Sequence, residues 1–345
     1  MTTLYCPDIN GLRRFLAEGR VLVEPVQDAD GVVRWADSSP EQLWVNHDGV
    51  PLSSLKPYFF ADRETVFVFD GFHFRSRLPE VPSRVFWGVK ACDAAALAVQ
   101  DRFFAEDSLY QSRRQSALIV AVDCVSPCRG GFCPLTRSGP LVQAGADVVL
   151  TPVGQGWQAT GMTDQGLSVL NTYAGWVKTH QGDTVAPTPL DPEAAAQTRQ
   201  ALETACVAAF GNLDALAAGL TRLQSGTVLA DEWETLAIQC LSCSGCVNLC
   251  PSCSCFTTHD VAHPEGTVRE RVWDACLYEG FQREASGHHP SPTPGARTAR
   301  YWFHKFSPEF IPQQGRLGCT GCGRCDAVCP GVIGAKAVLT RIGAC

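Results

Sequence analysis

Two twelve-residue stretches repeat one cysteine pattern: CLSCSGCVNLCP from Cys240 to Pro251 and CTGCGRCDAVCP from Cys319 to Pro330, offset by 79 residues. Both read C-x2-C-x2-C-x3-C-P. Paired C-x2-C elements also build zinc ribbons, in which two pairs hold one ion. A ribbon has no use for a third cysteine in each run, nor for a proline after the fourth, and both runs carry both features. The pattern points instead to a polynuclear centre in which several metal atoms each take one thiolate.

An iron-sulfur cubane presents four irons, and three cysteines spaced this closely let one loop cap three of its corners. The spacing predicts a ferredoxin-like arrangement in which the fourth cysteine of each run crosses to the other centre. Cys240, Cys243, Cys246 and Cys329 then hold one 4Fe-4S cluster, and Cys319, Cys322, Cys325 and Cys250 hold a second. Ser244, Gly245, Gly321 and Gly323 keep the loops small enough to turn tightly, with backbone N–H groups facing the sulfurs. Pro251 and Pro330 stop each loop from running on as an uninterrupted helix. Residues 251–318 separate the runs, which is extra structure beyond a small ferredoxin and a place for partners to dock.

Composition narrows the setting. The opening residues MTTLYCPDINGLRRFLAEG lack the apolar stretch of a secretory signal, and Arg13 and Arg14 read as the solvated face of a helix. No window approaches the roughly 18 apolar residues of a membrane span; ALIVAV, Ala117 to Val122, is only strand-length. A cytoplasmic protein is expected. Because the cytosol keeps thiols reduced, eighteen cysteines argue for metal binding rather than disulfides. A formal charge of −7, from 28 basic and 35 acidic residues, offers no basic field for nucleic acid, so protein partners fit better.

The first two-thirds alternates β-rich runs with helical patterns, which predicts an α/β or α+β domain over residues 1–230. Strands are expected at Arg20–Val26, Thr65–Phe69, Arg84–Val89, Ala117–Val122 and Asp147–Thr151. Between the third and fourth, Ala96, Leu97, Val99 and Phe103 recur at helical spacing, so this stretch reads as a parallel βαβ unit. Pro192 to Leu223 reads as one or two helices broken near Gly211, and Asp231 to Ile238 as a helix feeding the first cysteine run. Pro290 to Gly295 reads as a loop. A mainly α-helical, two-cluster ferredoxin-like domain is expected over residues 231–345.

Several words outside the runs carry a family resemblance: PYFFADRETVFVF from Pro57, FWGVKACDAAALAVQDRFF from Phe86, VDCVSPCRGGFCP from Val122, CPSCSCF from Cys250 and RYWFHKFSPEF from Arg300. The chain resembles the β subunit of cytoplasmic sulfhydrogenases, nickel-iron hydrogenases linked to NAD(P), and is similar to the A subunit of anaerobic sulfite reductase. The resemblance implies an iron-sulfur electron-transfer subunit, a hetero-oligomer partner standing between a flavoprotein that handles NAD(P) and a terminal catalytic subunit of the nickel-iron hydrogenase kind. The alternative is a self-contained or sulfite-reducing type of oxidoreductase subunit with a catalytic cofactor in the N-terminal domain. No P-loop, HExxH or flavin signature is present, and no catalytic residue is assigned. Gly154, Gly156 and Ala159 fit a dinucleotide fingerprint in spacing, but Thr160 and Gly161 interrupt the required helix, so a turn is expected.

Cys92, Cys124, Cys128 and Cys133 form a candidate third iron-sulfur site. Cys92 follows the strand ending at Val89 and Cys124 the strand ending at Val122, so parallel neighbours would deliver both to one sheet edge. Pro127, Gly130 and Gly131 let the loop bring Cys128 and Cys133 back to the same point. The other reading is a buried Cys92 and a loop that merely packs. Cys253, Cys255 and His259 are expected to pack beside the first run rather than to ligate. Cys6, Cys206, Cys276 and Cys345 are isolated and take no role. His304 and Lys305 are placed either to bring hydrogen bonds or positive charge near a cluster or simply to pack, and His288 and His289 lie in the proline-rich loop.

Overall fold

The computed structural model describes residues 2–179, 185–264 and 266–344; Cys345 lies outside them. In chain order the first half comprises β1 (Thr3–Cys6), α1 (Ile9–Ala17), β2 (Val21–Gln27), β3 (Val33–Asp37), α2 (Lys56–Phe59), β4 (Arg63–Phe69), β5 (Phe74–Ser76), β6 (Arg84–Lys90), α3 (Ala91–Phe103), α4 (Ser108–Gln115) and β7 (Ala117–Val122). There follow β8 (Val148–Val153), β9 (Gly156–Gly161), α5 (Asp164–Thr179), β10 (Thr188–Pro189), α6 (Pro192–Ala209) and α7 (Asp214–Gln224). The last third holds α8 (Ala230–Ala237), α9 (Gly245–Leu249), β11 (Phe256–His263), β12 (Gly266–Trp273), α10 (Pro294–Phe306), α11 (Ile311–Gln314), α12 (Arg324–Val328) and α13 (Ala335–Gly343).

Eight strands form a mixed sheet in the order β10-β1-β9-β8-β7-β6-β2-β3, with β2, β6, β7 and β8 parallel neighbours. β7, ALIVAV, is buried at every position, as a parallel strand covered on both faces must be. The β6–α3–α4–β7 crossover is the βαβ unit read from the sequence. The glycines after β8 make a hairpin: Gly154 turns with φ +57°, and Val153 pairs with Gly156. No helix opens there to receive a pyrophosphate.

Arg13 departs from expectation. Asp8 caps α1 by accepting from the Gly11 N–H, and the helix buries Leu12 and Leu16, but Arg13 is fully buried as well. It grips Glu24 on β2 with two bonds, Nε to Oε2 at 2.8 Å and Nη2 to Oε1 at 2.6 Å, and donates to the carbonyls of Ser39, Pro40 and Gln42. Only Arg14 faces solvent. An arginine can be buried when a bidentate carboxylate and backbone oxygens take up its donors.

The region between the cysteine runs is not mainly helical. FTTHDVAH and GTVRERVW, rich in β-branched residues, pair as the β11–β12 hairpin, and β12 then pairs with β4 to make a second sheet, β11-β12-β4-β5. Arg271 on β12 fastens this crossing. It bonds Glu64 on β4 and Asp107 at the start of α4, and it lies 5.2 Å from the ring centres of Phe60 and Phe256 and 5.3 Å from that of Phe104. Residue 230, near which a boundary is expected, is the first residue of α8, but α7 before it already shares a core with α10 and α13 through Leu216, Leu220, Trp302, Val338 and Leu339. Among the described residues no single helix is long and apolar enough to cross a membrane.

α7 meets α13 at Gly219, where an added Cβ would stand 1.9 Å from the Leu339 carbonyl oxygen. Gly219→Ala must push the helices apart and is expected to cost about 1–3 kcal/mol, read as a lowered midpoint in anaerobic urea unfolding.

Candidate metal centres

The two cysteine runs fold alike. In the first, Ser242 and Ser244 take positive φ values of 50° and 58°, and Ser244 opens α9; in the second, the equivalent Gly321 and Gly323 take 61° and 78°, and Gly323 opens α12. Each loop therefore curls left-handed between its cysteines and then enters one short helix.

Cys240, Cys243, Cys246 and Cys329 line one cavity, walled by Leu277, Tyr301, Trp302 and Ile333. Cys250, Cys319, Cys322 and Cys325 line a second. The grouping is the crossed one, three thiols from one run and the fourth from the other. Tyr301 and Trp302 border both cavities. Backbone N–H groups point at the sulfurs: Gly321 to Cys319 at 3.3 Å, Ile333 to Cys329 at 3.4 Å and Ala335 to Cys325 at 3.3 Å.

The donor set suits a cubane better than a single ion. Among the described residues no group of three or more His, Cys, Asp or Glu side chains is placed to hold one metal ion. The thiols instead surround a space, and Ser244 Oγ, buried on the wall of the first cavity, has no hydrogen-bond partner. An orphaned buried hydroxyl is costly and fits beside an acceptor such as a cluster sulfide. Burial pushes the Cys246 thiol up to about 12 and raises Cys319, Cys322 and Cys325, so loading iron must displace protons.

A third group of thiols gathers in the first half of the chain. β6 and β7 run parallel with Lys90 opposite Val122, so Cys92 in the first turn of α3 and Cys124 just past β7 leave the sheet at one edge. The loop that follows turns at Gly130, φ +79°, with the Gly131 N–H donating to the Cys128 carbonyl at 3.0 Å. Cys128 and Cys133 lie within electrostatic reach of both Cys92 and Cys124. Burial raises all four thiols, Cys128 to about 12. A side chain at Gly139 would come within 3.0 Å of the Cys133 sulfur, so the backbone passes directly against this thiol.

This group abuts the second cavity. The Phe132 N–H donates to the Gly321 carbonyl at 2.8 Å, and Cys322 is within electrostatic reach of Cys92. Arg324 on α12 pairs with Asp93, the residue after Cys92, both almost wholly buried.

Residues 239–333 match the 4Fe-4S dicluster domain family. The chain is similar to sulfhydrogenase 2 subunit beta of Pyrococcus furiosus, with 25% identity over 294 residues covering 83% of this chain and 82% of that one. No solved structure matches the chain. The resemblance to sulfhydrogenase β subunits carried by the sequence words agrees with this match, and the chain bears an iron-sulfur dicluster domain.

Other residues of the dicluster domain settle around its second cavity. The buried Cys253 thiol donates to the Cys250 sulfur and holds Cys250 below the ordinary thiol range. Cys276 does the same for Cys255, pulling it down to about 6. Cys276 is therefore not isolated. Cys206 is near Cys124, whereas Cys6 ends β1 with its side chain in the core. His259 is elsewhere, on β11, paired with Glu270 at 3.2 Å. His304 contacts Gln314 at 3.0 Å, and burial lowers it to about 4. Lys305 lines the second cavity, and the adjoining thiols outweigh burial to raise it; at Lys56, close by, burial prevails and lowers it. Sequence reasoning missed Asp93, Arg324 and Lys56. The first two sit inside the words GVKACD and GCGRC, whose charges are unusual so close to cysteines.

The crossed grouping makes a direct demand. In Cys250→Ala the cluster of the Cys319 run is expected to be perturbed or lost while the other persists, as read by electron paramagnetic resonance of the reduced protein. Selective loss of the Cys240-run signal would refute the crossing.

Proposed function

We propose that this chain is an electron-relay subunit that passes electrons between a subunit handling flavin and NAD(P) and a terminal catalytic subunit of the nickel-iron hydrogenase kind. On this reading Cys240, Cys243, Cys246 and Cys329 hold the first 4Fe-4S cluster, Cys319, Cys322, Cys325 and Cys250 the second, and Cys92, Cys124, Cys128 and Cys133 a third centre. When bound, the clusters supply one-electron chemistry; the protein's work is to hold, space and insulate them.

Support comes from the continuity of the thiol groups across the molecule. The first cavity reaches the surface at the exposed Cys243, among exposed Ile238, Leu241 and Val332. Tyr301 and Trp302 lie between it and the second cavity, and the second abuts the N-terminal group through Gly321 and Phe132. On the other side Cys128 and Arg129, together with Cys322 of the second set, line an open surface pocket. A line of centres with an opening at either end is what a relay needs, since each end must approach a partner's cofactor. The β-subunit likeness to the Pyrococcus furiosus sulfhydrogenase supports assembly into a larger complex.

Anaerobically purified full-length chain is expected to hold about ten or twelve irons with matching sulfide, as the third centre is a two-iron cluster or a cubane, and Cys124→Ala about eight, counting four per cubane. About eight in both would remove the third centre alone. Stoichiometric zinc with little iron would remove the whole reading. The iron-loaded chain by itself is expected to reduce artificial dyes at most, and NAD(P)H oxidation without a partner would overturn the relay.

A further inference from the structure

We infer that Lys305 and Lys56 are buried counter-cations of the second cluster, and that they make it the first of the two dicluster-domain centres to accept an electron. This inference rests on the two-cluster reading above and goes beyond it by ranking the centres.

Both ammonium groups are almost completely buried, Lys305 at 3% exposure and Lys56 at 4%. Lys305 Nζ donates to Ser252 Oγ at 3.2 Å, and Ser252 Oγ lies 3.4 Å from the Cys250 sulfur. The Lys305 carbonyl accepts from the Cys319 N–H at 2.9 Å, so one residue touches both halves of the second ligand set. Lys56 Nζ donates to the Val247 carbonyl at 3.1 Å and sits 3.9 Å from the Trp273 ring centre. Among the described residues neither lysine has a carboxylate within ion-pair distance, whereas Arg324, the other cation on this cavity, is matched by Asp93. Buried charge without a partner is strongly unfavourable. The anions facing the two lysines are the cluster, through its ligand Cys250, and the neighbouring Cys255 thiol that Cys276 holds low, with Cys253 beside them.

The first cavity is different. Apart from its cysteines and Tyr301 it is lined by apolar, hydroxyl and glycine residues, with no lysine, arginine, histidine or carboxylate. Reduction adds one negative charge to a cluster, and a fixed cation in a low-dielectric setting stabilises the reduced form more than the oxidised one. N–H bonds to ligand sulfur act in the same direction, and the second set receives two, at Cys319 and Cys325, against one at Cys329 in the first. Lys305 is thus a positioning residue that acts through the field it places on the cluster.

The test is a redox titration of the iron-loaded full-length chain followed by electron paramagnetic resonance. Iron and sulfide are assayed first, so that absent clusters, which would refute the two-cluster reading, are distinguished from clusters with unexpected potentials. Lys305→Met is expected to move the second cluster's midpoint to more negative potential with little change at the first, and Lys305→Arg to restore it. Equal shifts at both clusters, or none, would overturn the inference. Should Lys305→Met fail to load iron, the order in the native sequence decides: Cys243→Ser, which alters only the first set, is expected to change the signal that reduces later. A change in the signal that reduces first would refute the ranking.

Discussion

The ion pair between Arg324 and Asp93 joins the two halves of the molecule at the point where their cysteines meet. Arg324 is 2% exposed and Asp93 1%, with Nη2 to Oδ2 at 2.8 Å, and Nε takes the Pro51 carbonyl at 2.8 Å. Removing one partner from such a buried pair costs about 3–5 kcal/mol, because the other charge is left without compensation. The geometry here satisfies the guanidinium on several sides, which lets the pair persist away from water. Because Arg324 begins α12 and Asp93 lies in the first turn of α3, the bond fixes the Cys319 loop against the turn that carries Cys92. The contact between the second and third thiol groups depends on it.

That contact also accounts for a difference between the two cysteine runs. At equivalent left-handed positions the first run has Ser242 and Ser244, and the second has Gly321 and Gly323. A left-handed backbone is tolerated by serine at some cost, so conformation alone does not require glycine. Contact does. A Cβ on Gly321 would lie 2.7 Å from the Cys133 Cα, and one on Gly323 would lie 2.7 Å from the Gly130 carbonyl oxygen. The first run is packed differently at these positions: Ser242 is half-buried, and the Ser244 side chain is accommodated on the wall of the first cavity. Its serines survive where the second run can keep only hydrogen.

Legibility in the sequence followed how local each signal was. The cysteine runs, the buried strand ALIVAV and the helix expected from Asp93 to Phe104 each declare themselves within a dozen residues; the helix forms over Ala91–Phe103 and buries Ala96, Leu97 and Val99, but Phe103, read as part of its apolar face, is exposed and Phe104 is buried instead. The convergence of Cys92 and Cys124 was legible because parallel pairing is implied by strand, helix, strand. What was not legible depends on partners far along the chain. Arg13 looks like a surface arginine until Glu24 is placed beneath it, and Lys56 gains its meaning only when residues 247 and 273 arrive above it. The β11–β12 hairpin was missed because the notion of a cysteine-bearing helical domain overrode strand-like sequence, and its pairing partner β4 lies almost two hundred residues earlier. Cys276 seemed isolated for the same reason, being separated in sequence from the Cys255 it faces.

Packing the second run against the N-terminal half has an electrostatic consequence as well as a steric one. A cluster carries net negative charge, and enclosing it away from water removes the solvation that favours its more negative, reduced form. By enclosure alone the second centre would be harder to reduce than the first, whose Cys243 is exposed. In the proposed relay, with this centre in the middle, that would raise a barrier. The buried lysines offset this, since charge from Lys305 and Lys56 replaces the stabilisation that water no longer provides. Lys305 comes from the helix before the second run and Lys56 from the first half of the chain, so the two halves that exclude the water also deliver the cations. Burial and counter-charge then arrive together in the assembled fold, because the packing that shields the second thiol group is also what brings the two lysines to it.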